Sequence, residues 1–276
     1  MPKHLKLNDT DYWVYNDNAK LSTIVMIHGL RGTHHGLDLI AKNLDGYRVI
    51  VPDLPGFGES KPFDNEHSIP NYAKWLNKFI IDLRLPEPPA LLGHSFGSII
   101  VSNYAVIYPK TVRKLILENP IGAPALKGPR NFMSKLATGY YWLAKKLPKP
   151  TGTRLLRAKP AVMAMSITMA KTHDITVRKF IHNQHLQHFN SFASRRVVDE
   201  AYRASISSNV SDFAHGINVP TLLIAGDIDD ITSIADQEKL LKLFPDAKLV
   251  VLNGVGHLTH YETPVEVANA IKRFVS

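Results

Sequence analysis

The chain has 276 residues, 45% of them hydrophobic, a formal net charge of +9 and no cysteine. These totals exclude thiol catalysis, thiolate metal sites and a disulfide scaffold, and they fit one large α/β domain or two small ones whose core needs no covalent staples. The charge is uneven: between Ile121 and Phe180 stand twelve Lys or Arg and a single acid, Asp174, so this segment carries +11 and the remainder about −2.

The N-terminal MPKHLKLNDTDYWVYND has no apolar signal-peptide core, and no apolar stretch approaches the roughly 20 residues that span a bilayer. The expectation is a soluble, cytoplasmic protein. Two short polar–apolar stretches around Asn8–Asp9 suggest an antiparallel hairpin at a sheet edge. STIVMIHG (Ser22–Gly29) is short, β-branched and apolar, and predicts a buried strand. A helix is expected over His35–Leu44 and a second strand over Tyr47–Leu54. Pro70 opens a helix whose Tyr72, Trp75, Leu76, Phe79 and Ile80 fall on one face. PALLGHS then reads as a strand, FGSIIVSNYAVIY as a helix and VRKLILENP as a strand. Strand and helix alternate with short connections, the pattern of a mostly parallel sheet covered by helices.

The rhythm breaks after Pro120. From Ile121 to about Gly216 the patterns are helical, as in NFMSKLATGYYWLAKKL and AVMAMSITMAK, with punctuation at LPKPTGT. From Val219 it resumes with strand PTLLIAGD, helix IADQEKLLKLF, strand AKLVVLNGVGH and helix PVEVANAIKRFV. One α/β domain interrupted by a helical insertion of roughly 90 residues is the simplest reading, since an ordinary connection has only a few.

GHSFG (Gly93–Gly97) stands between a strand and a helix and matches the nucleophile elbow G-x-S-x-G. Together with IHGL, GDIDD and NGVGH at other strand ends, it makes the chain, from about Lys20 onward, resemble the α/β-hydrolase superfamily in its serine-nucleophile, cap-bearing, esterase-like branch. The resemblance implies an α/β-hydrolase fold, with a core domain of 1–120 and 217–276 and a helical cap (lid) over 121–216. It implies Ser95 as nucleophile, His257 as base and Asp229, three residues after Gly226, as acid. Asp227 and Asp230 are near neighbours of Asp229, and Glu118 ends another strand where some relatives carry their acid. His260 lies beyond the usual histidine position and reads as a loop or pocket residue.

The oxyanion donors implied are the backbone N–H groups of Leu30 and Phe96, with His28 orienting the loop and Asp53 shaping the neighbouring PDLPGFGES. The reaction implied is cofactor-independent hydrolysis of a carboxylic ester through an acyl-enzyme on Ser95. The same residues serve carbon–carbon bond hydrolases and acyltransferases, and a non-catalytic binding protein can retain the fold. His94, where carbon–carbon hydrolases often carry Asn, tilts the reading toward esters.

No cofactor and no metal is expected. Neither G-x-x-x-x-G-K-[ST] nor G-x-G-x-x-G occurs. His182, His185 and His188 are spaced three apart, but no fourth ligand is spaced beside them, so a polar helix face or pocket wall is the expectation. The basic segment carries no nucleic-acid motif. LATGYYWLAKKLPK mixes aromatics with lysines like an interfacial helix, pointing to peripheral contact with an anionic membrane. Tyr140, Tyr141, Trp142, Met163, Met165 and Met169 are candidates for an apolar pocket wall, suited to an acyl or anionic ester substrate.

Overall fold

The computed structural model describes residues 1–124 and 131–276, and of residues 131–134 only the backbone. Eight strands form one sheet: β1 (Lys3–Leu7), β2 (Thr10–Tyr15), β3 (Thr23–Ile27), β4 (Arg48–Pro52), β5 (Ala90–His94), β6 (Lys114–Glu118), β7 (Thr221–Gly226) and β8 (Ala247–Leu252). Their order is β1-β2-β4-β3-β5-β6-β7-β8. The expected edge hairpin is β1–β2, with Leu7 opposite Thr10 and Asn8 at a positive φ of 54°, which asparagine tolerates. β2 also runs antiparallel to β4, and the remaining pairs are parallel.

Alternation along the strands sorts side chains onto two faces. Val25, Ile27, Leu91, Leu115 and Leu117 pack with α2 (Ile69–Asp82) and α3 (Phe96–Ile107). Ile24, Met26, Leu92, Ile116 and Ile224 pack with α1 (Asp38–Lys42) and α11 (Pro264–Val275). The helix expected over His35–Leu44 is shorter, a single 3-10 turn at His34–Leu37 leading into α1. Its start is tied down because Asp53 Oδ1 accepts the His34 N–H at 2.7 Å.

Between β6 and β7 lie α4 (Asn131–Lys146), α5 (Lys149–Leu156), α6 (Lys159–Met169), α7 (Ile175–His188) and α8 (Arg195–Ser207). Asp174 caps α7 through the N–H groups of Thr176 and Val177, and Ser194 caps α8 through that of Val197. This segment is pinned to the loop after β4: Gly58 N donates to Ser191 O at 2.7 Å and Ala193 N to Gly56 O at 2.9 Å, around a Phe57–Phe192 bridge. Among the described residues no helix is long and apolar enough to cross a membrane. After β7 come α9 (Ile234–Leu241) and the short α10 (Thr259–Glu262).

The strand order reverses between β3 and β5, since β3 pairs with β4 on one side and with β5 on the other. Connections diverge there and leave a crevice at the carboxyl ends of the strands. The loop after β3 and the turn after β5 both open onto it.

Candidate active site

Ser95 occupies the turn between β5 and α3 with φ 50° and ψ −115°, a conformation uncommon outside glycine. The turn closes because its flanks lack side chains. A Cβ on Gly93 would meet Gly97 O at 2.5 Å, and one on Gly97 would meet Ile27 O at 2.3 Å. Ser95 N donates to Glu118 O at 3.0 Å, which ties the turn to the end of β6. Phe96 opens α3, so its N–H belongs to the first-turn donors that a helix leaves unpaired, at the positive end of its dipole.

The loop after β8 brings His257 to this serine. His257 Nε2 lies 2.9 Å from Ser95 Oγ, and Nδ1 lies 2.7 Å from Asp229 Oδ2. Asp229 also accepts from Thr232 Oγ1 at 2.6 Å, and from the N–H groups of Ile231 (2.7 Å) and Thr232 (3.1 Å). His257 and Asp229 are buried, and Ser95 is half-buried. Burial opposes charge on both. Even so, the His257 charge and hydrogen bonds from His257 and Thr232 hold the Asp229 carboxyl below its usual range. Burial alone would depress the His257 imidazole, but the charge and hydrogen bond of Asp229, with Glu118 beyond, turn its shift upward.

The neighbouring acids are engaged elsewhere. Asp227 Oδ1 accepts from Gly254 N (2.7 Å) and Val255 N (3.3 Å), shaping the loop that carries His257, and Asp230 pairs with Lys171. Glu118, fully buried, takes the Thr259 hydroxyl and lies 3.2 Å from His94 Nδ1 and 3.5 Å from His260 Nδ1. Burial would raise its pKa, yet the imidazoles of His94 and His260 hold it well below the usual carboxylate range. His260 is therefore a buried residue of α10 facing Glu118, rather than a loop residue, and burial foremost lowers it to about 4. The donors of His94, Glu118 and His260 lie within 4.8 Å of one another and form the one such cluster among the described residues that a metal ion could join. The Thr259 hydroxyl already occupies one oxygen of this carboxylate.

The loop after β3 is held from below. His28 Nε2 accepts the Leu54 N–H at 2.9 Å, so Nδ1 carries the hydrogen and donates to Gly29 O at 2.8 Å. Burial lowers this imidazole to about 4, which keeps the neutral tautomer that both contacts require. Gly32 N donates to Gly29 O at 3.0 Å, closing a turn around Leu30. Asp53, completely buried, accepts from His34 N and from Glu59 N at 3.0 Å.

The other sequence candidates scatter. His182 Nδ1 and His185 Nδ1 both lie 2.7 Å from Ser166 Oγ, while the His188 ring stacks on His35 at 3.7 Å. Of the methionines, Met169 packs against Ala170, Ile181, Leu258 and Tyr261, next to the His257 loop. Tyr141 stacks on Tyr202 at 4.1 Å, whereas Trp142 is 58% exposed.

Sequence reading missed Asn119. With φ 43°, it donates to His257 O (2.8 Å) and Thr259 Oγ1 (3.0 Å) and accepts from Gly226 N (3.1 Å), bolting together three strand ends. It missed Arg31 and Thr232 as well. No local pattern marks these three, because each acts on partners distant in the chain or, for Thr232, through an ordinary turn.

Among proteins of known name, the chain is 28% identical over 285 residues to Lipase 3 of Moraxella sp. (strain TA144), covering 99% of this chain and 84% of that protein. It is 26% identical over 273 residues to a 2-hydroxy-6-oxononadienedioate/2-hydroxy-6-oxononatrienedioate hydrolase of Cupriavidus pinatubonensis, covering 94% and 89%. Its fold matches an esterase from Exiguobacterium antarcticum with a TM-score of 0.79 at 20% identity, over 100% of this chain and 99% of that one. The family model of the alpha/beta hydrolase fold matches residues 22–264. Elbow, sheet order and family match agree: the chain belongs to the alpha/beta hydrolase fold family, as a member with serine at the elbow.

Proposed function

We propose that the protein is a cofactor-independent serine hydrolase of carboxylic esters. The observation that carries this reading is one buried imidazole in contact with both Ser95 Oγ and the Asp229 carboxylate. Ser95 Oγ attacks the acyl carbon while His257 Nε2 takes its proton. The imidazolium then protonates the leaving alkoxide as the C–O bond breaks, releasing an alcohol and leaving the acyl group on Ser95. Water, deprotonated by His257, attacks the acyl-enzyme, and the acid departs as Ser95 recovers its proton. Asp229 stays ionised throughout, fixing the tautomer and stabilising the imidazolium. The N–H groups of Leu30 and Phe96 hold the oxyanion.

Residues 121–216 act as a cap on a core of 1–120 and 217–276. The contacts of Ser191 and Ala193 with the loop after β4, and of Lys171 and Thr172 N–H groups with Glu262, support a cap docked beside Ser95. Its substrate is an acyl ester, anionic or presented at an anionic membrane. On α4, Leu136, Trp142 and Leu143 are exposed beside Lys135, Lys145 and Lys146, an apolar stripe edged with cations. The Lipase 3 relative accords with an ester substrate.

The test is an acyl-chain-length series of aryl esters on wild type and Ser95→Ala, with fluorophosphonate labelling of the folded protein. Hydrolysis and labelling should both vanish with Ser95. An unlabelled wild type would return the chain to a non-catalytic binding protein. Carbon–carbon bond hydrolysis is the second reading, favoured by the Cupriavidus relative. A 2-hydroxy-6-oxodienoate assayed beside the esters separates the two, and an alcohol acceptor that raises turnover would reveal acyl transfer.

A further inference from the structure

Arg31, one residue beyond Leu30, has the largest of the fully buried side chains. Its backbone is left-handed, with φ 59°, a conformation that a non-glycine residue keeps only where its surroundings impose it. The side chain runs from the loop after β3 into the α4–α8 segment. Nη2 donates to Leu156 O at 2.8 Å and to Asn190 Oδ1 at 3.2 Å, and Nε donates to Phe189 O at 3.2 Å. The guanidinium carbon stands 5.3 Å from the centroid of the Phe189 ring and 5.5 Å from that of Phe192.

Two of these acceptors are helix ends. Leu156 is the last residue of α5, and Phe189 follows the last residue of α7. Their carbonyls lie where a helix runs out of its own donors and its dipole is negative. One cation completes both ends. Among the described residues no carboxylate pairs with it; the Tyr140 hydroxyl of α4 also interacts with the guanidinium. Packing alone would be served by leucine or methionine without taking a charge out of water. The rigid fork of directed donors is what two converging carbonyls need.

The loop that carries Leu30 and the ends of two cap helices therefore share one side chain. We propose that Arg31 is a positioning residue that makes the oxyanion-binding loop depend on the docked cap: the Leu30 N–H is aligned when α5 and α7 sit on the Arg31 guanidinium, and loses alignment when they do not. The consequence for turnover rests on the assignment of Leu30 to the oxyanion; the coupling itself does not.

The experiment compares wild type, Arg31→Met, Arg31→Lys and Asn190→Ala by hydrogen exchange and by aryl-ester kinetics. In Arg31→Met, the amides of Leu30–Thr33 and those at the ends of α5 and α7 should exchange faster together, while Ser95–Ser98 keep their protection. Turnover should fall by about 10²-fold, the loss typical of one oxyanion donor, with KM little changed. Arg31→Lys, which can reach one carbonyl, should recover part of kcat. Added guanidinium should do the same for Arg31→Met. Faster exchange at the helix ends with an unchanged loop and unchanged kcat would reduce Arg31 to a helix cap and overturn the proposal. So would a loss confined to KM. If Arg31→Met does not fold, Asn190→Ala, which removes one acceptor, must still loosen loop and helix ends together; loosening of one alone overturns the coupling. Exchange is read without any ester, so a wild type that Ser95-directed probes fail to label would sink the esterase reading and leave the coupling to be judged separately.

Discussion

The Asp229 carboxylate lies 2.7 Å from His257 Nδ1, opposite the nitrogen that faces Ser95. Glu118, at the end of the preceding strand in the sheet, is spent instead on Thr259, His94 and His260. Two buried carboxylates thus stand near one histidine, and one of them touches it. Asp229→Asn should lower kcat by about 10⁴-fold, since the histidine loses the group that fixes its tautomer. Glu118→Gln should keep most of the activity and lose thermal stability, because two buried imidazoles then face a neutral amide. Kinetics and melting temperature on both variants check this; a dead, well-folded Glu118→Gln would transfer the acid role.

The pH profile should carry the same signature. In the mechanism proposed above, His257 must be neutral to take the Ser95 proton, and Asp229, with Glu118 behind it, raises its pKa above the ordinary 6.5 against the opposing effect of burial. The acid limb of kcat/KM should therefore fall above pH 6.5, with activity lost as pH drops through it. Removing either carboxylate takes away a stabiliser of the imidazolium, so the limb should move to lower pH in both Asp229→Asn and Glu118→Gln, at very different plateaus. A limb that stays in place in Glu118→Gln would mean that its charge is not felt at His257.

At the elbow the limit is steric. An alanine at position 97 would put its Cβ 2.3 Å from Ile27 O, against backbone that has no rotamer to change. Gly97→Ala should cost at least about 3 kcal/mol, the upper end of ordinary overpacking, and displace Ser95 from His257. Gly139→Ala is the control, because a Cβ there meets nothing within 4 Å. Urea unfolding of the two variants would show the contrast, and equal stabilities would contradict the packing described for the turn.

Charge on the helical segment 121–216, the proposed cap, predicts a salt effect. Attraction between exposed charges is screened beyond roughly 8 Å at physiological ionic strength. An anionic ester should be preferred to a neutral one of matched chain length at low salt, and the preference should fade as salt rises. Changing Lys145, Lys146 and Lys149 to Gln should weaken it further, with Lys145 contributing least because it lies 3.0 Å from Asp199. Binding to anionic vesicles, measured by co-sedimentation, should weaken in the same variant. Identical salt profiles for both esters and no vesicle binding would leave the basic block as a solubility feature.

Much of this molecule was legible along the chain. Strand runs such as Thr23–Ile27 are buried at every position and apolar from Ile24 onward because both faces of the sheet are covered, and α2 shows its buried stripe at helical spacing. Gly93, Ser95 and Gly97 announce their turn as a five-residue motif, although the backbone that bars a side chain at 97 belongs to Ile27 on a neighbouring strand. Ser95, His257 and Asp229, which the fold brings into contact, stand at strand ends and were candidates from the sequence. What decided between Asp229 and its neighbours was which carboxylate reached the imidazole, and Asp227, Asp229 and Asp230 differ there only through partners at Gly254, His257 and Lys171. His260 read as a loop or pocket residue because nothing near it in sequence reveals Glu118, 142 positions earlier, as the charge it faces. Nothing along the chain singled out Arg31. It is buried because Leu156, Phe189 and Asn190, all more than a hundred residues away, bring to it the carbonyl and amide oxygens that let a charge leave water. Periodicity and turn motifs are local and can be read from neighbours; the pairing of buried charges is set by contacts that exist only once the chain has folded.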